Sequence, residues 1–412
     1  MSELDLGLKV ASRRLLWRMG FATRVNVPLR AFVPSGQSSR ARYETFTDLD
    51  VLGLAVAPGF AVRTVIADCK TSAGRSTERM FWIRGVADFL SADDAWMVRS
   101  GGVTAASRQL SSRLRISVLE PSDLERLEEY HPTTLPLIED GFSFLFEEQA
   151  VAKYMKAFGQ LDKKLNRLLE YRQFDYWVYD EHRNLVQLVA HLADAAKHLD
   201  PDHPVHRALF FELAWLYALS LFRAAVHVRA VHVTDVDTAL REYLFGGQVA
   251  LQEKEQLAAA LNRLAPKQLP APSGAGMLPA WYSLLLELLT RHLRRPQVAN
   301  AELRYAEWVA EAQLARVSQP VAAIYGSSFD PVAAKLLADV CGFLVTVGRL
   351  QPEFRTTARD YLAQPVSDGG EGSKADNQVG GNDADADSPS SDVKESADLS
   401  DANRQTAQGQ LL

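Results

Sequence analysis

Two runs rich in β-branched and apolar residues, Tyr43 to Val56 and Ala61 to Cys69, are separated by Ala57-Pro58-Gly59-Phe60. Proline presets one turn dihedral and glycine accepts a positive φ, so this break specifies a β-hairpin. A hairpin also fixes register. With the turn centred on Gly59, Asp50 falls opposite Asp68 and Asp48 opposite Lys70. Alternation along each strand then puts Asp50, Asp68 and Lys70 on one face, with directly opposed residues about 5 Å apart at Cβ.

The flanking sequence surrounds this hairpin with elements of both periods. Leu6 to Phe21 is an amphipathic helix, apolar at Leu8, Val10, Leu15, Leu16 and Met19 and closed by Gly20. Val25 to Phe32 alternates around Pro28, which suits an edge strand. Ser76 to Leu90 and Ala105 to Leu114 read as helices, Ala95 to Arg99 and Ile116 to Leu119 as strands, and Pro121 to Glu129 as a last short helix. The order helix, three strands, helix, strand, helix, strand, helix predicts an α/β domain with a mixed sheet flanked by helices. His131-Pro132 and Leu135-Pro136 mark its end, so residues 1–130 are expected to form one domain.

A mostly α-helical region is expected over residues 140–350, broken by the Pro/Gly/Ser stretch Ala265 to Pro279. Residues 366–412 are Asp, Ser, Gly, Ala and Gln with almost no large apolar side chain, the composition of a disordered acidic tail. Ala208 to Phe222 is greasy but interrupted by Glu212 and flanked by Arg207 and Arg223, which favours a buried helix over a membrane span. Met1 to Asp5 has no basic or apolar leader character, and two cysteines, Cys69 and Cys341, suit a reducing compartment; a cytoplasmic location is expected. The aromatic patch Phe174-Asp175-Tyr176-Trp177-Val178-Tyr179 is expected to pack in a helical core rather than to stack on a base. Seven of the nine histidines fall between His182 and His232 without metal-ligand spacing.

The net charge of −6 conceals a segregation. Residues 1–115 carry a balance of +7, residues 116–365 of −6 and residues 366–412 of −7. A basic block of this kind suggests a polyanionic partner, and Lys9, Arg13, Arg14 and Arg18 on the first helix are candidates for contacting a nucleic-acid backbone.

Two opposed carboxylates repel unless something positive lies between them. Mg²⁺ is one such group, since it takes carboxylate oxygens while keeping waters, and Lys70 could serve the attacking water. The plain alternative is a salt-bridged hairpin in which Lys70 neutralises Asp48 or Asp68.

The first 130 residues resemble the PD-(D/E)-x-K nuclease superfamily, especially Mrr-like restriction endonucleases and archaeal-type Holliday junction resolvases. The resemblance rests on Leu15-Leu16-Trp17-Arg18-Met19-Gly20-Phe21, Asp48-Leu49-Asp50-Val51-Leu52, Asp68-Cys69-Lys70 and Ile116-Ser117-Val118-Leu119. It implies a restriction-endonuclease-like fold, a metal held by Asp50 and Asp68, and catalysis by Asp50, Asp68 and Lys70; Asp48, Glu78 and Arg79 are candidates for lining the site, and Glu78 and Arg79 are equally read as a helix N-terminal charge and a phosphate contact. The implied function is a Mg²⁺-dependent endonuclease, with Mn²⁺ substituting, that cuts DNA in bacterial defence or repair. The helical region would bind a protein partner or self-associate. The glutamate that many members carry on the first helix has no match here, where the zone reads Leu6-Gly7-Leu8-Lys9. A non-catalytic nucleic-acid-binding or scaffold protein of nuclease-like fold is the alternative.

Overall fold

The change of period along the N-terminal third produces α1 (Glu3–Arg18), β1 (Ala22–Val33), β2 (Arg42–Val56), β3 (Val62–Lys70), α2 (Ser76–Phe89), β4 (Asp94–Arg99), α3 (Ala105–Leu114), β5 (Ser117–Leu119) and α4 (Pro121–Tyr130) in a computed structural model. Residues 3–33, 42–71, 76–131, 141–264 and 277–363 are described. The strands lie in the order β1-β2-β3-β4-β5. The first two pairings are antiparallel and the last two parallel, as the helical crossovers require. Val51 pairs with Ala67 and Leu52 with Ile66, so the hairpin has the register that its turn implies.

Both faces of the sheet are covered. Leu8, Leu15 and Leu16 of α1 pack with Val51, Val65, Ala67, Trp96 and Val98. Residues one step out of phase, Leu52, Ile66 and Met97, belong to the cluster that contains Met80, Ile83 and Ala87 of α2. Each fully buried side chain of this size contributes roughly 1.5–3 kcal/mol.

Past the sheet the described chain is helical, and its longer elements include α5 (Glu148–Ala157), α6 (Pro204–Val231), α7 (Ala299–Ala315) and α8 (Pro331–Val347). Helix α6 is apolar on every side because other elements surround it; it is long and apolar enough to cross a membrane, but 89% of its most apolar window is buried inside the protein.

The sheet and the helices share one core. Phe60, in the hairpin turn at φ 70°, is fully buried and stacks on Phe222 of α6 with centroids 5.7 Å apart. Trp17 of α1 meets Phe142 at 5.0 Å and Phe146 at 5.6 Å. Asn300 of α7 accepts from the Val56 N–H at 3.0 Å and donates to the Gly20 carbonyl at 2.9 Å. Met1–Pro365 accordingly forms a single compact unit. The limits expected at 1–130 and 140–350 mark a change of secondary structure and not a break in packing. Of the boundary, residues 132–140 lie outside the described residues, as do residues 265–276 and the tail expected at 366–412.

Candidate functional site

The pairing of β2 with β3 brings the expected trio together. Asp50 Oδ2 accepts the Cys69 N–H at 2.8 Å. Lys70 Nζ stands 3.5 Å from Asp50 Oδ2 and 3.9 Å from Asp68 Oδ1. Asp50 and Asp68 are buried, whereas the Lys70 side chain is 41% exposed at the end of its strand.

Each carboxylate also holds a second cation. Arg79, in the first turn of α2, grips Asp68 with two nitrogens, Nε to Oδ2 at 2.8 Å and Nη2 to Oδ1. Its guanidinium lies 3.6 Å from the centre of the Trp82 ring, which holds the fork in place. On the other carboxylate, Lys9 Nζ lies 2.6 Å from Asp50 Oδ1 and donates to Asn26 Oδ1, also at 2.6 Å. Lys9 is only 4% exposed. Asn26 stands in β1 between the pairs Val25–Val51 and Val27–Leu49, with a left-handed φ of 55°. Asparagine tolerates that region better than most residues.

The remaining expected site residues are peripheral. Asp48 and Glu78 are exposed. Asp48, Asp50, Asp68 and Trp82 do border a common space, but it amounts to about 10 Å³, room for one water. Asp5, one turn before Lys9, accepts from the Thr71 hydroxyl at 2.6 Å and so lies at the end of β3.

These residues do not fit Mg²⁺ or Mn²⁺. Three cations, Lys9, Lys70 and Arg79, already face the two buried carboxylates Asp50 and Asp68. Seating a divalent ion on Asp50 would strip a buried ammonium of its carboxylate.

The basic stripe of α1 needs correction as well. Lys9 and Arg13 are buried, so neither faces a polyanion. Arg14 and Arg18 both pair with Glu128 of α4, at 2.8 and 3.3 Å. Arg13 reaches into the helical region, where it meets Glu307 at 2.9 Å and Glu311 at 2.5 Å on α7. Glu307 also accepts from the Thr23 N–H at 3.0 Å and from the Thr23 hydroxyl at 2.5 Å. Arg24 of β1 pairs with Glu212 of α6 at 2.6 Å. Much of the positive excess of the first 115 residues is therefore spent on internal acidic partners. Long-range pairs of this kind leave no local signal in the sequence.

One guanidinium cannot balance two buried carboxylates. Burial pushes Glu311 up, Arg13 draws it back only in part, and its carboxyl lies at about 7 against an ordinary 4.5. A raised carboxyl binds its proton more tightly folded than unfolded, so its contribution to stability is full below pH 4.5 and is lost as pH rises to about 7. His292 acts in the same direction: burial opposes its charge, but Glu302 overrides burial and raises it. Comparison of wild type with Glu311→Gln isolates the carboxyl. Wild-type melting temperature should fall more steeply between pH 5 and 8 than that of the variant, while parallel profiles would refute the assignment.

No family model, curated protein or solved structure matches this chain.

Proposed function

We propose that this chain has a restriction-endonuclease-like fold whose cleavage centre is closed by its own cations, and that it acts as a nucleic-acid-binding scaffold rather than as a hydrolase. The order α1-β1-β2-β3-α2-β4 and the register that sets Val51 opposite Ala67, next to Asp50 and Asp68, support the fold assignment. The observation that carries the functional reading is the buried Lys9 ammonium 2.6 Å from Asp50 Oδ1, in the helix zone where the resembling nucleases have a glutamate. A metal-binding centre needs uncompensated negative charge, and here the charge is compensated from within. The exposed groups at the site include Lys70 as well as the carboxylates Asp48 and Glu78. Lys70 pairs in register with Arg99 at the carboxyl ends of two parallel strands, the position where sheets of this kind receive ligands. Phosphates of a nucleic acid would meet these two cations first.

A second reading, a Mg²⁺- or Mn²⁺-dependent DNA endonuclease, is favoured by the convergence of Lys70 on Asp50 and Asp68. Two measurements separate them. On the proposed reading, Mg²⁺ and Mn²⁺ leave the melting temperature where EDTA leaves it, and linear, supercoiled, single-stranded and branched DNA and a structured RNA stay intact. Nucleic acid should still bind, with affinity falling as salt rises and weakened several-fold in Lys70→Ala/Arg99→Ala. Metal-dependent cleavage that Lys70→Ala abolishes would overturn the scaffold reading in favour of the nuclease. Absence of salt-dependent binding to any of these nucleic acids would overturn the partner.

A further inference from the structure

Between the β1 edge of the sheet and helices α5, α6 and α7 lies a cavity of about 230 Å³. Its polar corner is built on Glu212, which is buried on α6 and receives three donors: the Tyr154 hydroxyl, Arg172 Nε and Arg24 Nη1. Burial alone would raise Glu212, but Arg172 and Arg24 more than reverse this and hold its carboxyl at about 2. One carboxylate thus faces two guanidiniums. Each engages it through one nitrogen of a fork that carries five N–H groups, and Arg172 also bonds Tyr154 and lies 4.0 Å from the centre of the Phe158 ring.

The aromatic lining supplies an independent observation. Trp215 is 1% exposed, borders the cavity, and has a buried indole N–H with no acceptor among the described residues. The Arg24 guanidinium lies 4.3 Å from its ring centre. Trp177, from the aromatic patch of the sequence, is half-buried and borders the same space. On the opposite wall Glu307 and Glu311 are held by Arg13, and among the described cavity-lining residues the buried donor left without a partner is the Trp215 indole N–H. The volume is below the ~300 Å³ at which drug-sized sites begin, which limits a ligand to about one ring and one acidic group.

We infer that this cavity binds a small aromatic anion, its carboxylate or phosphate seated on Arg24 and Arg172 and its ring against Trp177 and Trp215. The cavity is lined by none of Asp50, Asp68 and Lys70, although Asn26, which borders it, accepts from Lys9. An aryl carboxylate and an aryl phosphate share this chemistry and are tested as separate arms.

The experiment titrates the full chain with benzoate, phenyl phosphate, benzylamine and benzyl alcohol, following tryptophan fluorescence and melting temperature. Benzoate or phenyl phosphate should quench saturably and raise the melting temperature, and whichever binds more tightly identifies the acidic group. Arg172→Gln, which leaves Glu212 its pair with Arg24, should weaken binding at least tenfold. Trp177→Leu, at a half-buried position, gives a second readout that does not depend on the ion pairs and should also weaken it several-fold. Lys70→Ala should bind as wild type does. The inference is overturned if neither anion saturates by about 10 mM, if the amine or the alcohol binds as well as the anions, or if folded Trp177→Leu binds unchanged. Loss of binding in Lys70→Ala would also overturn it, by moving the anion to the strand-end site.

Discussion

Arg13→Ala should destabilise the protein by about 3–5 kcal/mol at pH 7, the usual cost of breaking a buried ion pair from one side. The guanidinium is almost fully buried and is shared by Glu307 and Glu311 on a helix nearly three hundred residues away. Its removal leaves two carboxylates out of water with, among the described residues, Thr23 as the neutral donor to one of them. Because Glu311 already lies at about 7, protonation can relieve part of this cost. The loss should therefore shrink as pH falls from 8 to 5. Urea unfolding at several pH values measures both effects. A loss below about 1 kcal/mol at pH 7 would place Arg13 among weakly coupled surface pairs and would undo the account of how sheet and helices are joined. Replacing all three partners together, as Arg13→Met/Glu307→Leu/Glu311→Leu, should recover most of the stability, since no charge is then left without its counterpart.

The hairpin was legible because everything that fixes it is local. The four residues 57–60 set the turn, the turn sets the register, and the register runs to Val51 opposite Ala67, the neighbours of Asp50 and Asp68. The mixed character of the sheet followed from the alternation of periods, since consecutive strands can pair as a meander and each later strand returns through a helix; the order of the strands within it came only from the structure. What the sequence could not show was where long side chains end. Arg13 and Glu307, or Arg24 and Glu212, are distant in the chain, so the charge of the first 115 residues looked like an outward surface when much of it is internal complementarity. One local sign did exist. Asp5, Lys9 and Arg13 recur every four residues on α1, the spacing of one helix face, and all three find partners within the protein: Thr71, Asp50 and the glutamates of α7. A polar stripe at that period on a helix that must cover a sheet points inward as readily as outward. The aromatic patch divided between two roles for a similar reason. Tyr176 is fully buried in the helical core, whereas Trp177, one residue on, borders a cavity.

Lys9→Glu is the substitution that separates a closed site from an open one. In the wild-type protein Asp50 has Lys9, Lys70 and the Cys69 N–H as partners, so on the proposed reading its charge is already balanced. Reversing the charge at position 9 removes a buried ammonium and sets a third carboxylate against Asp50 and Asp68. Without metal the variant should lose several kcal/mol, from like-charge repulsion added to the lost pair. That repulsion is what a divalent ion relieves. Mn²⁺ at about one hundred times its dissociation constant should return roughly 2.7 kcal/mol to the variant, read as a rise in melting temperature that EDTA reverses, and nothing to wild type. Lys9→Ala controls for the lost ammonium alone: it should be destabilised, by about 3 kcal/mol or more, with little rescue by metal because it adds no ligand. Equal stabilisation of wild type and Lys9→Glu by Mn²⁺ would mean that Lys9 yields its place to a metal in solution, and the centre would then be open. Rescue confined to Lys9→Glu would identify the lysine as the residue that closes it.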